Sequence, residues 1–378
     1  MYKVPLFNLT SQHAPLKSEI LQEVSDIIDQ TSFTHGQQTT DFEKSFAMLC
    51  ATKYALGMRS GTASLFVALS TLQLQPEDEV ITTPATFSAT ADAIKFAGGK
   101  PVFVDVQPLT GNINPKELEK NITPRTKAVV IVHLYGVPCD MDEIIKICKK
   151  HKLVLIEDAS HAHGSLYKGE PVGSFGRFGC FSLYPSKTLG AIGNAGIITT
   201  NSLQAYKLIN LYANHGVKSP ETKYRHHVSG YNELIDNIQS AVLLLKLKKL
   251  KKWIKRKRNI AEYYNQFFQK YEHAGMVWPE YVEPSLYVYA IQIKDRIRFQ
   301  EHFHKKNIQT GIYYPIPLHL QPSMEKLGYS KGDFPLAEQF FDRTISLPLY
   351  PELSDSQVEY VGQSITSFFT SSFAIIKR

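Results

Sequence analysis

The sequence predicts an α/β protein, with a large domain on a mostly parallel mixed sheet and a smaller α+β domain at its C-terminal end. From residue 53 to 158, short apolar runs alternate with helical patterns, as in repeated strand–helix–strand units. Two of these runs, AVVIV and LVLI, are continuously apolar, which is typical of strands covered on both faces. After residue 158, two strand-like runs follow each other without a crossover helix, which indicates a hairpin and therefore a mixed sheet. We expect a large domain at 1–245 and a small domain at 246–378.

The elements follow in chain order. The expected strands of the first half are KYALGM (53–58), EVITT (79–83), PVFVDV (101–106), KAVVIVHLYG (127–136) and LVLIED (153–158). The helical patterns between them are SGTASLFVALSTL, which Ser60 or Thr62 can cap, then TFSATADAIKFAG, PKELEKN and MDEIIKICKKH. The hairpin pairs CFSLY (180–184) with AGIITT (195–200) across a glycine-rich turn. A long helix near 236–270 then leads into the small domain, which is rich in aromatic residues and prolines.

Composition excludes several classes of protein. Hydrophobic residues make up 43% of the 378, which is too many for an intrinsically disordered chain. The first residues show no apolar run of a signal peptide, and no stretch of about 20 apolar residues could span a bilayer. Four scattered cysteines, without a C-x-x-C pair, indicate neither a disulfide framework nor a zinc site: Cys50, Cys139, Cys148 and Cys180. We expect a reduced, cytoplasmic protein.

The net charge of +7 comes from one segment. Residues 246–258 (KLKKLKKWIKRKR) hold nine basic residues and no acidic one, and the rest of the chain is slightly acidic. Leu247, Leu250 and Ile254 recur at helical spacing, so the segment continues the long helix. Its lysine stems are expected to cover apolar neighbours while their charges stay in water. A stripe that binds a polyanion is the alternative.

Polar residues at the carboxyl ends of the strands are the candidate ligand contacts of such a sheet. Ser60-Gly61-Thr62 starts a helix, where free N–H groups bind a phosphate or simply form a cap. Asp158 closes an apolar strand, and a carboxylate there requires a cationic partner or a capping role. Lys187 lies in the turn of the hairpin. No G-x-G-x-x-G stands between a strand and a helix, which argues against a dinucleotide site.

Pyridoxal phosphate needs these three groups together. Its phosphate requires a helix N-terminus, its ring nitrogen a carboxylate that keeps it protonated, and its aldehyde a lysine. Seven blocks of the sequence then occur in the order seen in one family: SGTASL, HLYG, EDASHAHGS, FSLYPSKTLG, SGYN, YYPIPLHLQP and GDFPLAEQFFDRTISLPLYPEL. From about residue 5 to about 365 the chain resembles the DegT/DnrJ/EryC1/StrS family of fold-type I, pyridoxal-phosphate-dependent sugar aminotransferases.

The resemblance implies a role for each matching residue. Lys187 would form the Schiff base with the cofactor, and Asp158 would pair with the pyridine nitrogen. The phosphate would be held by Gly61, Thr62 and Ser182, and Phe87 would stack on the ring. Asn232 matches a residue that reaches the phosphate from the neighbouring subunit, which implies a homodimer with shared sites. The substrate cavity would be bordered by Tyr184, Tyr314 and His319.

Three positions depart from the family pattern. His161 stands in place of a glutamine; its imidazole could contact the ring hydroxyl, and its protonation is a variable. Leu234 replaces a frequent arginine, and Asn194 a frequent aspartate. His161 and His163 also follow two carboxylates, but no third metal ligand of matching spacing is apparent, so no metal is expected.

The predicted reaction is transfer of an amino group from an amino acid, L-glutamate by family analogy, to a keto group of a nucleotide-linked deoxysugar. The turn Y-P-S-K-T-L-G-A-I-G resembles that of enzymes acting at C3 of dTDP-linked 3-keto-6-deoxyhexoses, with action at C4 as the alternative. Sugar dehydratases of the family carry histidine at the lysine position, so Lys187 favours transamination. A regulatory protein that uses residues 246–258 on a polyanion is the alternative from another class; the enzyme needs neither nucleic acid nor a membrane.

Overall fold

The computed structural model describes residues 2–219, 221, 224–273 and 275–376. Its strands are β1 (Tyr54–Met58), β2 (Glu79–Thr82), β3 (Lys100–Phe103), β4 (Thr126–Val132), β5 (Val154–Asp158), β6 (Leu166–Tyr167), β7 (Glu170–Pro171), β8 (Phe178–Ser182), β9 (Gly196–Thr200), β10 (Val282–Glu283), β11 (Tyr289–Gln292) and β12 (Thr344–Leu347). Its α-helices are α1 (Leu9–His13), α2 (Lys17–Asp29), α3 (Gln37–Leu49), α4 (Gly61–Ser70), α5 (Ser88–Phe96), α6 (Pro115–Lys120), α7 (Met141–His151), α8 (Leu203–Ala213), α9 (Asn237–Gln269), α10 (Arg296–Lys305), α11 (Pro335–Arg343) and α12 (Asp355–Ile376).

Seven strands form the central sheet, in the order β1-β9-β8-β5-β4-β2-β3. Every pair from β8 to β3 is parallel, whereas β9 runs antiparallel to both β8 and β1. The expected mixed sheet with a β8–β9 hairpin is therefore confirmed. Two strands are shorter than expected, since β3 ends at Phe103 and β4 at Val132. After β4 the backbone turns through a 3₁₀ segment at Leu134–Gly136, where Tyr135 has a φ of 56°.

Helices cover both faces of this sheet. Successive residues of β4 alternate between two apolar cores: Val130 packs in the core that contains helices α4 and α8, and Val129 and Ile131 pack in the opposite one. Because a strand points successive side chains to opposite faces, a continuously apolar run is what two buried faces require. The α/β/α sandwich is thus encoded in the strands themselves.

Helix α9 connects the part of the chain that forms the seven-stranded sheet to the C-terminal part. Its first half packs on α2 and α3, and its second half packs on α12. Beyond α9, β11 and β12 form an antiparallel pair; α10 packs on β12, α11 packs on β11, and α12 packs on α10. The expected boundary at residues 245 and 246 lies within this one helix, and the division into two domains stays a prediction.

The carboxyl ends of β1, β2, β5 and β8 meet at one edge of the sheet, as parallel strands must. The residues that follow them begin α4, form the loop before α5, and include Asp158 and Ser182. Among the described residues, no helix is both long enough and apolar enough to cross a lipid bilayer.

Candidate active site

A cavity of about 400 Å³ opens at this edge of the sheet. Most of the residues predicted from the sequence line it together: Gly61, Thr62, Phe87, Asp158, His161, Ser182, Tyr184, Lys187 and Tyr314. They come from segments up to 253 residues apart in sequence, between Gly61 and Tyr314, so the fold alone assembles them. The cavity is the candidate active site.

The N-terminus of helix α4 forms one wall of the cavity. Ser60 is the N-cap, and its hydroxyl accepts a hydrogen bond from the N–H of Ala63 at 3.0 Å. The N–H groups of Gly61 and Thr62 lie in the first turn, where no intrahelical acceptor exists. A Cβ on Gly61 would lie 2.5 Å from the Cβ of Ser182, so only glycine lets α4 approach β8 this closely. Free N–H groups, the hydroxyls of Thr62 and Ser182, and the positive end of the helix dipole suit a phosphate.

Asp158 ends strand β5 and is 5% exposed. Its Oδ2 accepts a hydrogen bond from the hydroxyl of Thr90 at 2.8 Å, and its Oδ1 accepts one from the N–H of Ser160 at 3.1 Å. The Thr90 hydroxyl also lies 2.9 Å from that of Thr86. Neutral donors therefore orient the carboxylate without neutralising it. No ion pair within 4.0 Å involves it among the described residues, so its charge is available to a cationic group in the cavity.

Lys187 lies in the segment 184–190 that follows β8, which we call the Lys187 turn. Its N–H donates to the carbonyl of Tyr184 at 2.8 Å, and its Nζ lies 4.4 Å from the centre of the Tyr287 ring. Burial lowers the pKa of the Lys187 amine to about 8, although the nearby carboxylate of Asp158 acts in the opposite direction. At pH 7, about one amine in ten with such a pKa is a neutral nucleophile, far more than for an ordinary lysine.

His161 is held as a neutral imidazole. Its Nδ1 accepts a hydrogen bond from the N–H of Tyr135 at 3.3 Å, so the proton resides on Nε2. Burial, followed by the positive charges of Lys187, His163 and Lys257, holds the pKa of His161 well below its usual range. The ring of Tyr287 stacks on it at 4.4 Å between ring centres, with 14° between the planes. The structure thus decides the protonation that the sequence left as a variable.

Aromatic side chains form the mouth of the cavity. Phe87 is 56% exposed and its ring centre lies 5.6 Å from that of Tyr314. Tyr184 is 53% exposed on the Lys187 turn. The exposed faces of these rings are available to a planar ligand or to a sugar.

Two predicted residues lie outside the cavity wall. Asn232 is exposed, and its carbonyl accepts a hydrogen bond from Arg59 at 3.4 Å. His319 is 2% exposed; its Nε2 lies 3.0 Å from Oε1 of Glu338, and its ring packs edge-on against Phe334. The structure does not bring His319 to the cavity, and its predicted substrate contact remains a prediction.

Sequence reasoning missed several residues of the site. Tyr287, Tyr313 and Ser160 line the cavity, and Thr90 donates a hydrogen bond to Asp158. Tyr313 stands inside the quoted block YYPIPLHLQP, so that block carried its signal. Tyr287 belongs to an ordinary aromatic strand-like segment, SLYVYA, and nothing in its sequence context distinguishes it.

The remaining departures from the family pattern have clear positions. Asn194 lines the cavity, whereas Leu234 pairs with Met58 and packs against the apolar core beside α4. Of the two histidines considered as metal ligands, His163 uses its Nε2 to donate to the carbonyl of Ser182 at 2.8 Å. Within the described part of the chain, no three histidine, cysteine or acidic residues cluster in a way that could hold a metal ion.

The sequence model of the DegT/DnrJ/EryC1/StrS aminotransferase family matches residues 15–366. Three curated relatives are similar over nearly their whole length. A pleiotropic regulatory protein of Geobacillus stearothermophilus is 38% identical and covers 97% of this chain and 98% of its own. The UDP-N-acetyl-3-dehydro-α-D-glucosamine 3-aminotransferase of Acidithiobacillus ferrooxidans is 36% identical (96% and 97% covered). The dTDP-3-amino-3,6-dideoxy-α-D-galactopyranose transaminase of Aneurinibacillus thermoaerophilus is 35% identical (97% and 99% covered).

Solved structures agree with these relatives. DesV of S. venezuelae, in complex with a ketimine intermediate, superposes with a TM-score of 0.93 and 31% identity, over 97% of this chain and 99% of DesV. NtdA of Bacillus subtilis, with its cofactor PMP bound, superposes with a TM-score of 0.91 and 28% identity, over 98% of this chain and 86% of NtdA.

Proposed function

The chain belongs to the DegT/DnrJ/EryC1/StrS aminotransferase family, and from this premise we propose that it aminates C3 of a dTDP-linked 3-keto-6-deoxyhexose, with L-glutamate as the amino donor. That the protein is a pyridoxal-phosphate-dependent sugar aminotransferase follows from the family and its relatives. The identity of the sugar, the carbon and the donor is the part that we propose.

The residues of the cavity fit pyridoxal phosphate. A dianionic phosphate matches the free N–H groups and hydroxyls at the start of α4 and at Ser182. A carboxylate held by neutral donors matches a protonated ring nitrogen, and an amine with a lowered pKa matches an aldehyde. When bound, the cofactor supplies an electron sink for the charge that develops when the amino acid loses its α-proton.

We assign the roles accordingly. Lys187 would hold the cofactor covalently through its amine, and the same amine, when free, would carry the proton that the amino donor loses from its α-carbon. Asp158 keeps the pyridine nitrogen protonated. His161 offers its Nε2–H as a neutral donor to the ring hydroxyl, and Phe87 covers the ring. The first turn of α4, together with Ser182, holds the phosphate.

The single observation that carries amination at C3 is the Lys187 turn with the residues after it, Tyr184 to Gly193. Such a turn sets the angle at which the substrate meets the lysine amine, and hence which sugar carbon lies above it. The names of the two transferases described above give sugars linked to different nucleotides, UDP and dTDP, but both names place the amino group at C3. The carbon is therefore better supported than the nucleotide.

A competition assay tests this. The purified enzyme receives glutamate and equal amounts of 3-keto and 4-keto sugars, each as dTDP and UDP derivatives, and the products are identified by mass spectrometry and NMR. We expect a 3-amino-3,6-dideoxyhexose on dTDP. Preferential amination at C4 refutes the assignment of the carbon, and preference for UDP refutes only that of the nucleotide.

The other candidate functions have less support. A dehydratase of this family has histidine where this chain has Lys187. A polyanion-binding regulator would use residues 246–258, yet four of these basic residues are engaged within the protein. Arg256 and Arg258 form ion pairs with Asp355 and Glu283, while Lys246 and Lys257 are buried. A measured affinity for DNA that decreases steeply with salt concentration would support the polyanion-binding function.

The active unit that we propose is a homodimer, in which Asn232 reaches the phosphate of the neighbouring site. The support is its match to the family motif and its exposed position outside its own cavity. Mixing the inactive variants Lys187→Ala and Asn232→Ala should restore activity in heterodimers, because each contains one intact site. No recovery despite demonstrated subunit exchange contradicts shared sites. We also propose the cytoplasm as the location, because the four cysteines are free and buried.

A further inference from the structure

The Lys187 turn is anchored at every second residue. The hydroxyl of Ser186 lies 3.3 Å from that of Tyr287. Two residues on, the hydroxyl of Thr188 accepts a hydrogen bond from Nζ of Lys257 at 3.1 Å. Two residues further, the carbonyl of Gly190 accepts a hydrogen bond from Nζ of Lys246. All three anchors lie outside the turn itself.

Two of these anchors come from the basic segment of helix α9. Lys246 and Lys257 are separated by eleven residues, about three helical turns, so both project from one face of α9. Both are buried, whereas their neighbours Lys248, Lys251 and Lys255 are exposed. Burial of an amine is costly unless it donates hydrogen bonds, and each of these two lysines donates to the turn that carries Lys187.

Lys257 also holds the aromatic residue above Lys187. Its Nζ donates to the carbonyl of Tyr287 at 3.4 Å, and the Tyr287 ring faces Nζ of Lys187 and stacks on His161. One amine thus ties together α9, the Lys187 turn and the Tyr287 segment of the C-terminal part. Burial lowers the pKa of Lys257 to about 7, and Glu352 opposes this shift. Burial is the main cause of the lowered pKa values of His161 and His163, and the positive charge of Lys257 makes a smaller contribution in the same direction.

We propose that Lys257 is a positioning residue for the transamination: through Thr188 and the carbonyl of Tyr287, it fixes the turn and the ring between which the amine of Lys187 lies. The inference rests on the function proposed above for Lys187. Lys257 thus supports the active site from within the protein, although the sequence predicts that the charges of residues 246–258 stay in water.

The test compares Lys257→Met with Lys255→Met, an exposed lysine of the same helix, in the cofactor-saturated enzyme. Methionine matches the four-atom apolar stem of lysine but lacks the amine and donates no hydrogen bond. We expect Lys257→Met to lower kcat roughly 10- to 100-fold with little change in KM for the sugar, since a misplaced amine slows the chemical step. The visible circular dichroism of the lysine-bound cofactor should weaken in parallel. Lys255→Met should match the wild type in all three measurements.

A double-mutant cycle separates positioning from a general loss of stability. Thr188→Val removes the hydroxyl that Lys257 contacts and keeps the side-chain shape. Because both changes break the same contact, the double variant should be about as slow as Lys257→Met alone, and Thr188→Val should itself weaken the circular dichroism. Should Lys257→Met fail to fold, the kinetics and circular dichroism of Thr188→Val decide.

The outcomes distinguish the two proposals. Borohydride reduction should attach the cofactor to Lys187 in the wild type and in all variants. Label on another lysine overturns the function assigned to Lys187 and, with it, the positioning role of Lys257. Label on Lys187, with folded Lys257→Met and Thr188→Val enzymes that equal the Lys255→Met control, overturns the positioning role alone.

Discussion

Replacing Asp158 by asparagine changes one atom of the site and removes its charge. The folded structure should tolerate this. The side-chain oxygen of asparagine can still accept from the N–H of Ser160, and its amide can donate to the hydroxyl of Thr90, which keeps Thr86 as a neighbour. We therefore expect a change of less than about 1 kcal/mol in the free energy of unfolding, since each hydrogen bond is replaced by another.

Catalysis should respond far more strongly. Asp158 is 5% exposed, so a cationic ring nitrogen opposite it is poorly hydrated and depends on the carboxylate. Removal of one partner of a buried ion pair costs about 3–5 kcal/mol. If this loss falls on the transition state, kcat decreases by about 10²- to 10⁴-fold.

The assay is single-turnover reaction of the cofactor-loaded enzyme with glutamate, with thermal unfolding measured on the same samples. Asp105→Asn is the matched control: Asp105 lies two residues beyond the end of β3, and its carboxylate accepts hydrogen bonds from the N–H groups of Leu336 and Ala337 at the start of α11. That variant should retain its turnover and lose some stability. Asp158→Asn with nearly normal turnover would show that the carboxylate is only a structural cap.

Three further predictions concern the surroundings of the site. Glu157→Gln should lower the free energy of unfolding by about 2–4 kcal/mol, because the carboxylate of Glu157 accepts hydrogen bonds from His133 and from three backbone N–H groups, and glutamine leaves some of these donors unpaired. Chemical denaturation measures this loss, and an unchanged denaturation midpoint contradicts it. In the cofactor-free protein, the rate at which an amine-reactive reagent modifies Lys187 should rise with pH and reach half its maximum near pH 8, because burial lowers the pKa of this amine. Asp158→Asn should move the midpoint to a still lower pH, because the carboxylate raises that pKa; a midpoint near that of an exposed lysine contradicts the effect of burial. Gly61→Ala should weaken cofactor binding at least about tenfold in absorbance titrations, because the new Cβ would lie 2.5 Å from that of Ser182 and push α4 away from β8. An unchanged affinity would mean that the phosphate is held elsewhere.

The alternation of strands and helices was predictable because it depends on local patterns. Continuously apolar runs predicted β4 and β5 as strands buried on both faces, and the absence of a crossover helix predicted the β8–β9 hairpin. The ends of β3 and β4 were not predictable, since apolar residues such as Val104 and Leu134 continue beyond them. Only the pairing with neighbouring strands decides where a strand stops.

Most of the candidate site could also be identified from the sequence. Residues at the carboxyl ends of parallel strands must meet at one edge, so Gly61 and Asp158 were expected together, with Lys187 in the turn that follows, and the motif blocks added Ser182 and Tyr314. Tyr287 and Thr90 were missed, because a residue that supports another across the fold carries no signal in its own segment. His319 stood in a matching block and yet lies outside the cavity wall.

The sequence by itself determined the fold class and the cofactor and predicted the groups that carry its chemistry, because strand patterns and short motifs are local properties. Tertiary structure decided the electrostatic state of those groups. The N–H of Tyr135 and the burial of the imidazole make His161 neutral, and desolvation lowers the pKa of Lys187. Tertiary structure also divided the basic segment into exposed lysines and the buried Lys246 and Lys257. Hydration and hydrogen bonding depend on neighbours that are distant in the chain, and only the folded structure brings them together.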